Sequence, residues 1–208
     1  MDRAVNLLEE ARACRICELE LPLGPRPVFS VNPKSKILII GQAPGTKVHA
    51  TGIPWNDPSG EELRRWLQVD RTTFYNPEFF GIMPMGFCYP GKGKSGDLPP
   101  RPVCAPTWHQ ALREIMPNIE LTLLIGSYAQ GYYLGENRKK TLTDTVRAWE
   151  EYLPEFFPLV HPSPRNRLWQ KNNPWFEAGL LPELRQRILR ILEKPMALDK
   201  PGDPPRLG

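Results

Sequence analysis

Two short loops carry the polar groups best placed for chemistry in this chain. Gly41-Gln42-Ala43-Pro44-Gly45 follows the apolar run Ile37-Leu38-Ile39-Ile40, and His161-Pro162-Ser163-Pro164-Arg165-Asn166 follows Phe157-Pro158-Leu159-Val160. Each joins a buried-strand pattern to a tight turn. At the carboxyl ends of parallel strands such loops converge on one crevice, which is where ligands bind. Gln42 offers a neutral amide able to hold a water molecule or to bond turn backbone. His161 offers an imidazole able to donate to a ligand or to cap the strand end.

Four cysteines form the second set, and the chain has no others. Cys14 and Cys17 make a Cys-x-x-Cys, while Cys88 and Cys104 stand sixteen positions apart. In a reducing compartment such thiolates hold a metal or an iron–sulfur cluster more often than they form disulfides. The plain alternative is four separate buried cysteines, since cysteine is a common core residue. Thiolate count does not separate zinc from a cluster.

The elements that must position these residues follow from periodicity. Strands are expected at 36–40, 80–85, 121–125 and 157–160, each an apolar run bounded by turn residues. Helical patterns lie at 2–13, 107–116, 127–134, 141–152 and 174–192, with another headed by Ser59 through a capping box to Glu62. Strands alternating with helices imply an α/β fold, a three-layer α/β/α sandwich around a central, mostly parallel four-stranded sheet.

At 208 residues the chain fits one domain, taken as 1–193, with a patternless tail at 194–208 expected to be disordered. Its 25 prolines are about double ordinary usage and sit mainly between the apolar runs, pointing to stiff, shaped loops. A net charge of +4 permits a polyanionic partner without requiring one. No run approaches the 18 or so apolar residues of a membrane span, and the first ten residues carry acids and no apolar signal core. The expectation is a cytoplasmic monomer of a bacterial cytosol, with no membrane partner.

Together the loops and cysteines resemble the uracil-DNA glycosylase superfamily, closest to its iron–sulfur (family-four) class. The resemblance runs from about residue 11 to 189. It implies a monofunctional glycosylase that flips a base from single- or double-stranded DNA and hydrolyses its N-glycosidic bond, leaving an abasic site for base excision repair. It also implies a structural [4Fe–4S] cluster on Cys14, Cys17, Cys88 and Cys104, with zinc the lesser alternative. Lys92, Lys94 and Arg101, in the loop that the cluster would pin, would face phosphates or simply solvent.

The first motif departs from the family's pattern. Gln42 stands where the catalytic Glu is expected, and Val48 and His49 replace an acidic pair, while Gly41, Ala43 and the later Gly52-Ile53-Pro54-Trp55 keep the scaffold. Gln42 is therefore the expected water-positioner, with His49 and Asp57 as further polar helpers, Asp57 being read mainly as a turn residue. Trp55 falls where a Phe stacks on the flipped base; its alternative is a core tryptophan. Met83 falls where an Asn reads the uracil edge, and methionine can neither donate nor accept there. This widens the expected substrates to hypoxanthine or xanthine, and leaves a non-catalytic binder of damaged DNA as the rival.

In the second motif the resemblance assigns His161 to the developing charge on the base, Ser163 and Asn166 to phosphate, and Arg165 to the vacated stack. Covalent trapping of the sugar is not expected, because 89–103 contains no histidine and His109 falls in a helical pattern.

Overall fold

The computed structural model describes residues 3–94 and 96–193, and the expected tail lies outside them. Its chain order is α1 (Arg3–Arg12), β1 (Ile37–Ile40), α2 (Thr46–Thr51), α3 (Pro58–Leu67), α4 (Arg71–Tyr75), β2 (Phe80–Ile82), β3 (Lys92–Gly93) and β4 (Gly96–Asp97). There follow α5 (Cys104–Glu114), β5 (Leu121–Ile125), α6 (Ser127–Leu134), α7 (Leu142–Arg147), β6 (Phe156–Leu159), α8 (Arg167–Asn172) and α9 (Leu181–Glu193).

The central sheet runs β2-β1-β5-β6, every pairing parallel. Strands covered on both faces read as continuous apolar runs, and Ile37-Leu38-Ile39-Ile40 is wholly buried for that reason. Alternate side chains leave opposite faces. Ile37, Ile39, Leu123 and Phe157 join Leu63 and Trp66 of α3 and Leu184 and Ile188 of α9 in one core. Leu38, Ile40 and Leu124 join Ala11 of α1, Leu112 of α5 and Ala129 of α6 in the other. The result is the expected three-layer sandwich.

Local departures have local causes. Helix α3 is capped by Asp57, whose side chain accepts the Gly60 N–H at 2.8 Å, rather than by Ser59. Pro58 decides this: its fixed φ and missing N–H suit the first helical position, which makes the residue before it the cap. Glu62, freed from a capping box, accepts Trp66 Nε1–H at 2.7 Å and pairs with Arg65. The expected 141–152 helix ends at Arg147 and continues as a 3-10 turn, Trp149–Tyr152. The last helix begins as a π turn, Phe176–Leu180, before α9.

Strand β2 ends at Ile82, not at 85, but the chain beyond it stays tied to the first loop. Met83 N–H donates to Ile39 O at 2.9 Å, Met85 N–H to Gly41 O at 2.8 Å and Gly86 N–H to Gln42 O at 3.0 Å. Pro84, with no N–H, breaks the regular ladder.

Candidate active site

The loops after β1 and β6 meet at the carboxyl end of the sheet. Gly41, Gln42, Ala43 and Pro44 from the first, His161 from the second, and Trp55, Asp57 and Pro84 enclose a cavity of about 50 Å³. That is room for ordered water.

Trp55 forms one wall and packs against the core beneath. Its ring centroid lies 5.6 Å from that of His161. Two glycines make this possible. A Cβ on Gly41 would stand 2.8 Å from the indole, and one on Gly60 would stand 1.7 Å from the Trp55 carbonyl oxygen. Trp55 itself has φ +54°, a left-handed conformation that is costly for a bulky side chain.

His161 is partly buried, and that burial lowers its pKa, with the Asp57 charge opposing the effect. The neutral imidazole so favoured can donate one N–H into the cavity. Its loop is fixed from within. Asn166 Nδ2–H donates to His161 O at 2.7 Å, and Ser163 Oγ accepts Arg165 N–H at 3.3 Å as the cap of the 3-10 turn Pro164–Asn166. In this arrangement Ser163 and Asn166 shape the loop.

Gln42 donates from Nε2 to Leu98 O at 3.1 Å, which leaves its amide oxygen to accept from a water in the cavity. Two close approaches accompany that bond between the loops and the segment joining Cys88 to Cys104. Asp97 approaches Gly45, whose Cβ position is 3.4 Å from the carboxylate, and the Arg165 guanidinium lies 3.0 Å from the Cβ position of Gly96. The two-stranded ribbon β3-β4 therefore props both motifs. Lys92 and Lys94 are exposed on it, whereas Arg101 pairs with Glu20.

Five expected residues do not line the cavity: Ser163, Arg165 and Asn166 of the second loop, and His49 and Met83. His49, on α2, faces Tyr89 with ring centroids 6.2 Å apart, and its neighbour Val48 lines the cavity instead. Burial, then the Arg26 charge, lowers its pKa. Met83 is fully buried in the core beside Leu38 and Ile40, and the wall at this point is Pro84.

Asp57, read mainly as a turn residue, does more than that, and His109 contributes with no sign of it in the sequence. Asp57 lines the cavity as well as capping α3. His109, buried on α5, contacts Pro84 O at 3.1 Å through Nε2 and the Tyr133 hydroxyl at 2.7 Å through Nδ1. A carbonyl only accepts, so Nε2 carries the proton and Nδ1 accepts from the tyrosine. Burial drives this imidazole down to about 4 and keeps it neutral.

The four cysteines, all free thiols, line one apolar cavity with Leu21, Phe87 and Trp108. Cys104 Sγ accepts the Phe87 N–H at 3.3 Å. Burial, with the neighbouring thiols adding to it, raises Cys88 to about 11 and Cys104 to about 12. Among the described residues no three His, Cys, Asp or Glu side chains are gathered so as to hold a metal ion. No described helix is long and apolar enough to cross a membrane.

A Gly-Gln-Ala-Pro-Gly loop and a His-Pro-Ser-Pro loop facing each other across one parallel sheet is an arrangement with a recognisable counterpart. The family model of the uracil DNA glycosylase superfamily matches residues 29–185 of the 208, both loops and Cys88 and Cys104 included, and the chain belongs to that superfamily.

Proposed function

We propose that this chain is a DNA glycosylase that hydrolyses the N-glycosidic bond of uracil in DNA and leaves an abasic site. The observation that carries the reading is the meeting of Gln42, Trp55 and His161 around one cavity at the strand ends. Cleavage leaves an oxocarbenium-like sugar and a base anion, and much of the catalysis is stabilisation of that anion by fixed donors. His161, kept neutral by burial, donates to the base oxygen where charge develops. Trp55 stacks on the flipped base, and the Gln42 amide oxygen holds the attacking water.

A second reading, preference for hypoxanthine or xanthine, is favoured by Met83. That side chain is in the core and Pro84 forms the wall beside it, so position 83 offers no side-chain amide to uracil's N3–H and O4.

We further propose that Cys14, Cys17, Cys88 and Cys104 hold a [4Fe–4S] cluster. What supports this is the donor chemistry: four thiols, none in a disulfide, line one apolar cavity, although no three of them are drawn together as ligands in this structure. The cluster is structural, holding the 88–104 segment whose ribbon props Gln42 and Arg165. Burial alone keeps Cys88 and Cys104 protonated, and a bound cationic centre reverses that preference.

The test is single-turnover release of base from uracil-containing single- and double-stranded oligonucleotides, read as alkali-sensitive cleavage, beside His161→Ala. A loss of about 10² or more in His161→Ala supports the reading. Equal cleavage by both proteins refutes the role of His161. Tight binding of uracil DNA with no base released, across a panel of deaminated bases, makes the protein a binder instead.

A further inference from the structure

Asp57 reads as a turn residue, yet it occupies a second position as well. Its Oδ1 is engaged by the Gly60 N–H at 2.8 Å, and the carboxylate also borders the cavity shared by Gln42, Trp55 and His161. Among the residues lining that cavity it is the only acid. Its charge is felt at His161, where it opposes the effect of burial. The loop that carries it is tightly specified, running from the left-handed Trp55 to Gly60, which has no space for a side chain.

Gln42 leaves a gap in the chemistry that a carboxylate fills. A neutral amide can orient a water but cannot take its proton, and it adds no negative charge beside a cationic sugar. Resting on the glycosylase reading above, we infer that Asp57 is a catalytic residue of the same site, the base and counter-charge that position 42 no longer supplies.

In the step, the C1′–N bond breaks and its electron pair leaves with the base, held as an anion by the His161 N–H. The oxygen of the water held by Gln42 bonds to C1′, and its proton passes to the free Asp57 oxygen. That proton returns through solvent to the base anion, so the products are a neutral base and an abasic sugar, with Asp57 ionised again. One oxygen caps the helix and the other would take the proton, so the cap holds the base in place.

The cap also supplies the control. Asparagine caps helices about as well as aspartate, so Asp57→Asn keeps the bond to Gly60 and removes only the charge and the proton acceptor. Wild type, Asp57→Asn, Asp57→Ala and His161→Ala are compared for single-turnover base release, affinity for uracil DNA and melting temperature. Asp57→Asn is expected to melt within about 2 °C of wild type, since the cap survives. It should bind DNA within about threefold of wild type and release base about 10²-fold more slowly. Asp57→Ala should be as slow and also melt lower.

Release by Asp57→Asn within about threefold of wild type, with His161→Ala inactive, overturns this inference and leaves the glycosylase reading standing. No release by wild type from any deaminated base overturns both. A rate lost only in Asp57→Ala, together with its melting temperature, assigns Asp57 to the cap alone.

Discussion

The cavity at His161 and the cavity among the four cysteines lie at the two ends of one loop system, and they are built in opposite ways. The first is polar and finished by the chain itself. Glycines at 41 and 60 clear the space for Trp55, Asp57 caps α3, and Asn166 ties down the His161 carbonyl. The second is apolar, and burial pushes two of its thiols, Cys88 and Cys104, towards protonation. One site is preorganised by hydrogen bonds and close packing. The other would gain stability from the cluster proposed for it. Between them runs the β3-β4 ribbon, which approaches Gly45 through Asp97 and Arg165 through Gly96, while Leu98 just beyond it accepts from Gln42. The difference teaches that a preorganised polar cavity and an apolar thiol cavity can be kept apart and joined by a short strut.

Gly60→Ala should break the preorganised side most severely. The new methyl would sit 1.7 Å from the Trp55 carbonyl oxygen, which is backbone and cannot step aside. A loss of about 3 kcal/mol and of nearly all base release is expected. Chemical denaturation and single-turnover rates check it, and a variant of wild-type stability and rate would show that the loop is not tightly specified.

Cys104→Ser tests the other side. Broad visible absorbance in the purified protein should disappear, the melting temperature should fall by about 5 °C, and base release should fall less than in His161→Ala. Colourless wild-type protein with bound zinc would replace the cluster with a single ion. Unchanged melting would reduce the four thiols to ordinary core residues.

The smallest effect expected sharpens the contrast, because it concerns a buried polar group that supports the first cavity from behind. The pKa of His109 is depressed to about 4 in the folded state, below an unfolded value near 6.5, so the unfolded chain binds the extra proton. Stability should therefore fall as pH drops through 6.5 and level off near 4, with about 1.4 kcal/mol lost by pH 5.5. His109→Phe should flatten that limb. The same slope in the variant would place the titrating group elsewhere.

Much of this was readable from the residues. The four strands announce themselves because parallel strands covered on both faces have no polar side to dilute the apolar run, and both loops sit at their ends. The cysteine pairs were readable as a set because the chain contains no others. What stayed hidden depends on long-range geometry. Asp57 looks like a cap because it is one, and only the folded chain shows that its carboxylate also borders the cavity. Met83 continues an apolar run and carries no sign that it turns into the core while Pro84 becomes the wall. The ribbon has strands of two residues, too short for any period to appear. The capping box at Ser59 failed for a nearer reason, since Pro58 moves the helix start two residues back.

The left-handed backbone at Trp55 has a consequence for anyone who would engineer this protein. Glycine or asparagine would sit there with less strain, so a search for stabilising substitutions would pick this position early. Such a change would discard the ring beside His161. At residue 55 the stacking role proposed for the ring and thermal robustness would pull in opposite directions, so a stabilised variant would have to find its stability elsewhere.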